Sequence, residues 1–202
     1  MEYGFYFFSQ WLSYLELIAM LTGVAGVWLT LKQNVACFPV GMINVLLYAW
    51  LFFTPSVRLY ADATLQCTYF LLLAYGWHAW TVSGHKDKKI LITKTSKALW
   101  LRSLLVTLPV FLISSLFFDL FTNADLPWLD SALTTISLLA QWMIARKKLE
   151  NWLLWILVDT VYIPVYLYKG LPLTAFLYLI FLIMAINGWM NWKKSLINTA
   201  DA

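Results

Sequence analysis

Seven apolar segments follow one another along this chain of 202 residues, at roughly 11–31, 38–53, 59–80, 99–121, 129–145, 151–168 and 171–192, each set off by polar residues. A bilayer crossing takes about 20 apolar residues and tolerates shorter runs; the second and sixth segments are the short ones here. Backbone groups in lipid must pair within their own segment, so these runs are read as helices. A closed barrel is excluded, because long unbroken apolar runs lack period-two alternation. Only 12% of the residues are charged and 62% are hydrophobic, whereas soluble domains carry about a quarter charged residues. The chain is therefore expected to be an all-α integral membrane protein, a single transmembrane domain over 1–202 with seven transmembrane helices. The longest polar stretch, near 83–98, is too short to bury a core of its own.

The net charge of +4 does not indicate a nucleic-acid partner. The basic residues sit at helix ends rather than along one face. With the N-terminus outside, Lys32, Lys86, Lys88, Lys89, Lys94, Lys97, Arg102, Arg146, Lys147, Lys148, Lys193 and Lys194 all fall inside, twelve of the fourteen basic residues. Only Arg58 and Lys169 fall outside, and the loop after the fourth helix is acidic. The positive-inside rule then sets an N-terminus outside and a C-terminus in the cytoplasm. The first residues have no basic n-region and no small-residue cleavage site, so no cleaved signal peptide is expected. Cys37 and Cys67 are single, in or beside apolar segments. They read as small hydrophobes, with no metal or redox spacing.

The chain also repeats itself. Leu59, Ala63, Leu65, Gly76, Trp77 and Trp80 match Leu171, Ala175, Leu177, Gly188, Trp189 and Trp192 at a constant shift of 112. Trp28 matches Trp142 at 114, and Asn44 falls opposite Asp159 at 115, a drift assigned to a longer loop. Shared lipid-facing composition is the plainer explanation of such matches. Read as a repeat, the pattern gives a three-helix unit at 11–80, a linker helix at 99–121 and a second unit at 129–192. One linker helix makes the units parallel across the membrane, and parallel repeats of this kind place a substrate site at their interface near the midplane.

Polar groups inside a bilayer are expensive and face a bundle interior or cavity. The candidates are Glu16, Asn44, Asp62, Gln66, Ser137, Gln141 and Asp159. Glu16 and Asp62, like Asp130, fall near outer helix starts, where headgroups, water or a helix N-terminus would satisfy them. Asp159 lies about 12 Å along its helix from Asn151. Trp155 precedes it by four residues and Trp152 by seven, so the three share one face. The bland reading makes the tryptophans interfacial anchors and Asp159 a structural partner of another helix. The functional reading has the two indoles flanking a planar ring and attracting a cation, with the carboxylate adding charge or accepting sugar hydroxyls. Asn44 and Tyr48 stand four apart on the matching helix; Gln66 adds an amide, and Tyr178 aligns with Gln66 at the shift of 112. Such a set suits a glycosylated aromatic base. No His-Glu-x-x-His, Gly-x-Ser-x-Gly or clustered acid pair occurs, so an enzyme is not expected. A non-transporting membrane sensor stays as a rival, since it too would bind a ligand between repeats.

The run from Arg146 to Trp155, Arg-Lys-x-x-Glu-Asn-Trp-Leu-Leu-Trp, resembles the signature of the PnuC family of bacterial vitamin transporters. Trp128-Leu-Asp130, Leu59-Tyr-Ala-Asp-Ala, Tyr75-Gly-Trp77 and Lys169-Gly-Leu-Pro-Leu-Thr174 agree with it, so the resemblance covers nearly the whole chain. It implies a SWEET-like fold of three plus one plus three helices, assembled as a homotrimer in the bacterial inner membrane. It further implies uptake of nicotinamide riboside by facilitated diffusion, with a cytoplasmic riboside kinase trapping the substrate, and no cofactor or metal. The family's tryptophan pair carries over to Trp152 and Trp155, which would hold the pyridinium. Asn44, Gln66 and Asp159 would bind ribose or carboxamide, with Tyr48 and Tyr178 lining the path. The polar position after the pair, often asparagine in relatives, is Asp159 here. A carboxylate is compatible with a fixed pyridinium charge, and thiamine, also cationic, is the natural alternative.

Overall fold

The computed structural model describes residues 4–7, 10–53, 60–84, 91–122 and 125–200. Arg58, Leu59, His85, Lys86, Lys88 and Lys89, with Asn123 and Ala124 of the acidic loop, lie outside the described residues, as do the side chains of Asp62 and Ala63. Among the described residues seven helices follow two short antiparallel strands: β1 (Gly4–Phe7), β2 (Gln10–Ser13), α1 (Tyr14–Leu31), α2 (Cys37–Phe53), α3 (Tyr60–Gly84), α4 (Lys97–Phe121), α5 (Pro127–Ala145), α6 (Asn151–Tyr168) and α7 (Pro172–Ala200).

The expected segments become these helices with shifted ends. The first apolar run begins as a strand, with Gly4 paired to Ser13 and Phe7 to Gln10. The hydropathy reading left no place for strands, but aromatic-rich runs fit a pleated surface well. The helix waits for Ser13, which forms a capping box: its hydroxyl accepts from the Glu16 N–H at 3.1 Å, and the Ser13 N–H donates to the Glu16 carboxylate at 2.9 Å. Glu16 is thus a capping residue. α7 runs to Ala200, past the expected end of the last segment at 192.

α1, α4, α6 and α7 are each long and apolar enough to cross a bilayer. α5 is more polar, and it buries Ser131, Thr135 and Ser137 while packing against α3, α4 and α6. Small and hydroxyl residues at such contacts let membrane helices approach closely. The contacts close a ring in the order α1, α2, α3, α5, α6, α7 and back to α1, with α4 outside against α5. The exposed leucines and phenylalanines of α4, among them Leu104, Leu105, Phe117 and Leu120, face outward.

The turns that lead into α2 and α6 correspond closely. The α1–α2 turn puts Gln33 at φ 55, and the α5–α6 turn puts Lys147 at φ 47, a left-handed conformation that costs a non-glycine residue about 1–3 kcal/mol. Gln33 N–H donates to Thr30 and Asn34 N–H to Leu29; Lys147 N–H donates to Ile144 and Lys148 N–H to Met143. Every one of these pairs is related by a shift of 114, which is also the offset between the starts of α2 and α6. In this register Asn44 lies opposite Val158, and Asp159 lies opposite the buried Val45. The expected pairing of Asn44 with Asp159 at 115 is therefore one residue out, because both helices run without interruption and nothing absorbs an extra residue. The register instead aligns Tyr48 with Tyr162.

Candidate functional site

One face of α6 carries Trp152, Trp155, Asp159, Tyr162 and Tyr166, spaced alternately three and four residues apart. α7 carries Tyr178, Phe181, Ala185, Gly188 and Trp192 at the same spacing, running the other way. Such rows keep a single helix face in contact with a neighbour over several turns. The rows meet at both ends. Trp152 stands edge-on to Trp192 with centroids 5.4 Å apart, and Tyr178 packs against Tyr162 at 4.9 Å and Tyr166 at 5.0 Å.

At the end of the ring that carries the basic residues, two equivalent aromatic sets meet. In the first unit Phe38 stands edge-on to Trp80, centroids 4.9 Å apart at 89°; in the second Trp152 meets Trp192 at 89° as well. Each set depends on a glycine. A Cβ on Gly76 would fall 2.3 Å from the Phe38 ring, and one on Gly188 would fall 2.5 Å from the Trp152 ring. Trp80 and Trp192 then join the two sets across the ring, 6.5 Å apart. The hydrogen bonding is not symmetric. Trp80 donates its indole N–H to the Ala145 carbonyl at 3.1 Å, while the buried indole N–H groups of Trp152 and Trp192 have no partner among the described residues. An unsatisfied buried donor costs about 1–3 kcal/mol.

Toward the opposite end the ring interior is lined by tyrosines. Tyr48 of α2 lies within electrostatic reach of Tyr166 of α6 and Glu16 of α1. Tyr69 of α3 lies near Ser137 of α5, and Tyr162 of α6 near Thr134 of α5. Tyr48 of α2 near Tyr166, and Tyr69 of α3 within electrostatic reach of Tyr162, both approach α6 across the ring from helices that are not its neighbours.

Between the aromatic and tyrosine layers lies Asp159, the ninth residue of the 18-residue α6 and only 3% exposed. Among the described residues, no hydrogen bond or ion pair reaches its carboxylate. Burying a charge without a partner carries a penalty of several kcal/mol, so a site of this kind favours a cation or a set of donors arriving from outside the protein. Tyr178 is within electrostatic reach of Asp159. Trp155, one turn toward the basic end, is partly buried against the aromatic core.

The residues singled out from the sequence do not all share one environment. Asp159 lies between the two layers, Trp155 borders the aromatic one, and Tyr48 and Tyr178 belong to the tyrosine one. Asn44 turns toward α1, where its amide donates to the Ala19 carbonyl and to the Thr22 hydroxyl. A Cβ on Gly23 would meet both Asn44, at 3.3 Å, and the Phe181 ring, at 3.5 Å. Trp152 is buried in the aromatic closure against Trp192 and Gly188. Gln66 edges a crevice of about 240 Å³ between α2 and α3, beside Val45 and Phe70. Tyr162, Tyr166 and Tyr69 did not emerge from the sequence reading. The three-four spacing beyond Asp159 was the signal for the first two, while Tyr69 needs the ring to bring α3 near α6.

Comparison with known proteins gives a consistent result. The model of the family described as nicotinamide mononucleotide transporter matches residues 13–194. The nicotinamide riboside transporter PnuC of Escherichia coli (strain K12) is 27% identical, over 91% of this chain and 87% of that protein. The riboflavin/roseoflavin transporter RibM of Streptomyces davaonensis is 23% identical, over 94% of this chain and 89% of that one. Among solved structures, a crystal structure of the vitamin B3 transporter PnuC shares the fold, with a TM-score of 0.73 at 22% identity, over 92% of this chain and 83% of that one.

Proposed function

This chain belongs to the nicotinamide mononucleotide transporter family, a multi-pass membrane vitamin transporter and not an enzyme, and from that premise we propose that it carries nicotinamide riboside into the bacterial cytoplasm. The observation that carries this reading is Asp159, a buried carboxylate at the middle of α6 with no hydrogen-bond or ion-pair partner among the described residues, flanked along its own face by Trp155 and Tyr162. Nicotinamide riboside presents a flat ring with a fixed positive charge and a hydroxyl-rich sugar. An indole face attracts such a ring, a carboxylate neutralises its charge, and phenols and amides bond its hydroxyls.

In this reading Trp155 and Asp159 hold the pyridinium, Tyr48 and Tyr178 meet the ribose or carboxamide, and Asn44, Trp152 and Gln66 reach the cargo only when the ring rearranges. The basic end faces the cytoplasm, following the distribution of lysine and arginine. Transport is facilitated diffusion in the inner membrane, made unidirectional by a cytoplasmic riboside kinase, and the assembly is a homotrimer.

Thiamine is the second reading, favoured by the same observation, since its cationic ring would also answer the Asp159 carboxylate. Uptake of labelled nicotinamide riboside into liposomes holding the purified protein tests the proposal. Saturable uptake that excess thiamine leaves intact supports it; uptake of thiamine alone replaces it with the second reading. Binding without uptake makes the protein a sensor.

A further inference from the structure

The two aromatic sets at the basic end are related by the repeat, but the seams beside them are not alike, and we infer that this end of the ring opens along one seam only: α1 parts from α7 while α3 and α5 stay together. The inference takes from the transport reading only that the ring opens.

The α3–α5 seam is fastened at several points. Trp80 of α3 donates its indole N–H to the Ala145 carbonyl of α5. The segment that leads from α3 to α4 is stitched to the α5–α6 turn: Thr93 N–H donates to the Lys147 carbonyl, and Leu149 N–H donates to the Thr93 carbonyl. Glu150 takes both the N–H and the hydroxyl of Thr95, at 2.9 and 2.6 Å. Ile92, in the same segment, is buried in the aromatic core.

The α1–α7 seam has the equivalent tryptophan without the equivalent bond. In the repeat register the acceptor for Trp192 would be the carbonyl of Leu31, yet the Trp192 indole N–H is buried and has no partner among the described residues. Trp152, which packs on it, carries a second unpartnered N–H. Among the described residues closure therefore leaves two donors unsatisfied in the α6–α7 set and none in the set of Phe38 and Trp80, so opening where Trp192 sits relieves what opening at Trp80 would break.

One side chain ties the two turns together. Lys147 of the α5–α6 turn donates to the Gln33 side chain of the α1–α2 turn at 3.2 Å and lies 4.3 Å above the centre of the Trp80 ring. It joins α1 to the fastened side, and so acts as a latch on the seam that opens.

Distances between spin labels test this directly. Lys32 with Lys194 spans the α1–α7 seam; Val82 with Arg146 is its counterpart across α3–α5, and the wild-type cysteines Cys37 and Cys67 are replaced by alanine. Measurements are made on the full chain in lipid nanodiscs without substrate, so they read out whether or not nicotinamide riboside is the cargo. Lys147→Ala, and independently Gln33→Ala, should lengthen the Lys32–Lys194 distance by several ångströms and leave Val82–Arg146 unchanged. Equal lengthening of both pairs, lengthening of Val82–Arg146 alone, or no change in either pair in both folded variants would overturn the inference.

Discussion

Trp80 and Trp192, 112 positions apart in the chain, face each other across the ring with centroids 6.5 Å apart and planes tilted by 46°. They match by sequence and by packing, yet among the described residues only Trp80 has a partner for its indole N–H. The difference between the two tryptophans separates a fixed side of the molecule from a movable one.

Substitution by phenylalanine should read that difference. Trp80→Phe removes a hydrogen bond to Ala145 and should lower stability by about 1 kcal/mol more than Trp192→Phe. Thermal unfolding in one detergent, followed for both variants, makes the comparison. Equal losses would mean that the Trp80 bond contributes nothing that Trp192 lacks.

Gly188 is required by the Trp152 ring rather than by any backbone conformation. A methyl group there would fall 2.5 Å from ring carbons, and overpacking of this kind typically destabilises by about 1–3 kcal/mol. Gly188→Ala should lower the melting temperature clearly, and Trp152→Leu in the same chain should restore part of the loss. A Gly188→Ala protein as stable as wild type would show that the α6–α7 contact is looser than described.

Trp155 is only partly buried, so its removal should spare the fold. Trp155→Ala should weaken nicotinamide riboside binding about tenfold, the scale of a cation–π contact in a partly desolvated site, and Trp155→Phe should retain most of the affinity. Calorimetric titration of monodisperse protein tests this; unchanged affinity in the alanine variant removes Trp155 from the site.

Much of this architecture is legible in the sequence because bilayer crossings require long apolar runs. The seven segments and the Gly76/Gly188 and Trp80/Trp192 matches can be read directly. What fails is local or depends on neighbours. The strand before Ser13 is hidden in an apolar run that reads as helix, although Ser13 and Glu16 spell a capping box. The offset of 115 arose from aligning two polar residues, Asn44 and Asp159, whereas continuous helices hold the register at 114 and align Tyr48 with Tyr162. Trp152 and Trp155 looked alike at three residues apart. Only packing distinguishes them, because Gly188 opens a slot for the first and not the second. Asp159 is legible as costly; that no hydrogen bond or ion pair among the described residues meets its carboxylate is not.

The most direct test is calorimetric titration of nicotinamide riboside into wild-type protein and Asp159→Asn, with the uncharged reduced-ring riboside as control. A charged hydrogen bond is worth about 1.5–3 kcal/mol, so the account expects wild type to bind the cationic riboside at least about tenfold more tightly than the variant does. Asparagine fills the same space, so the variant should stay folded, and the neutral riboside should bind both proteins alike. Equal affinity of the two proteins for nicotinamide riboside, or no binding of it by wild type, would contradict the account.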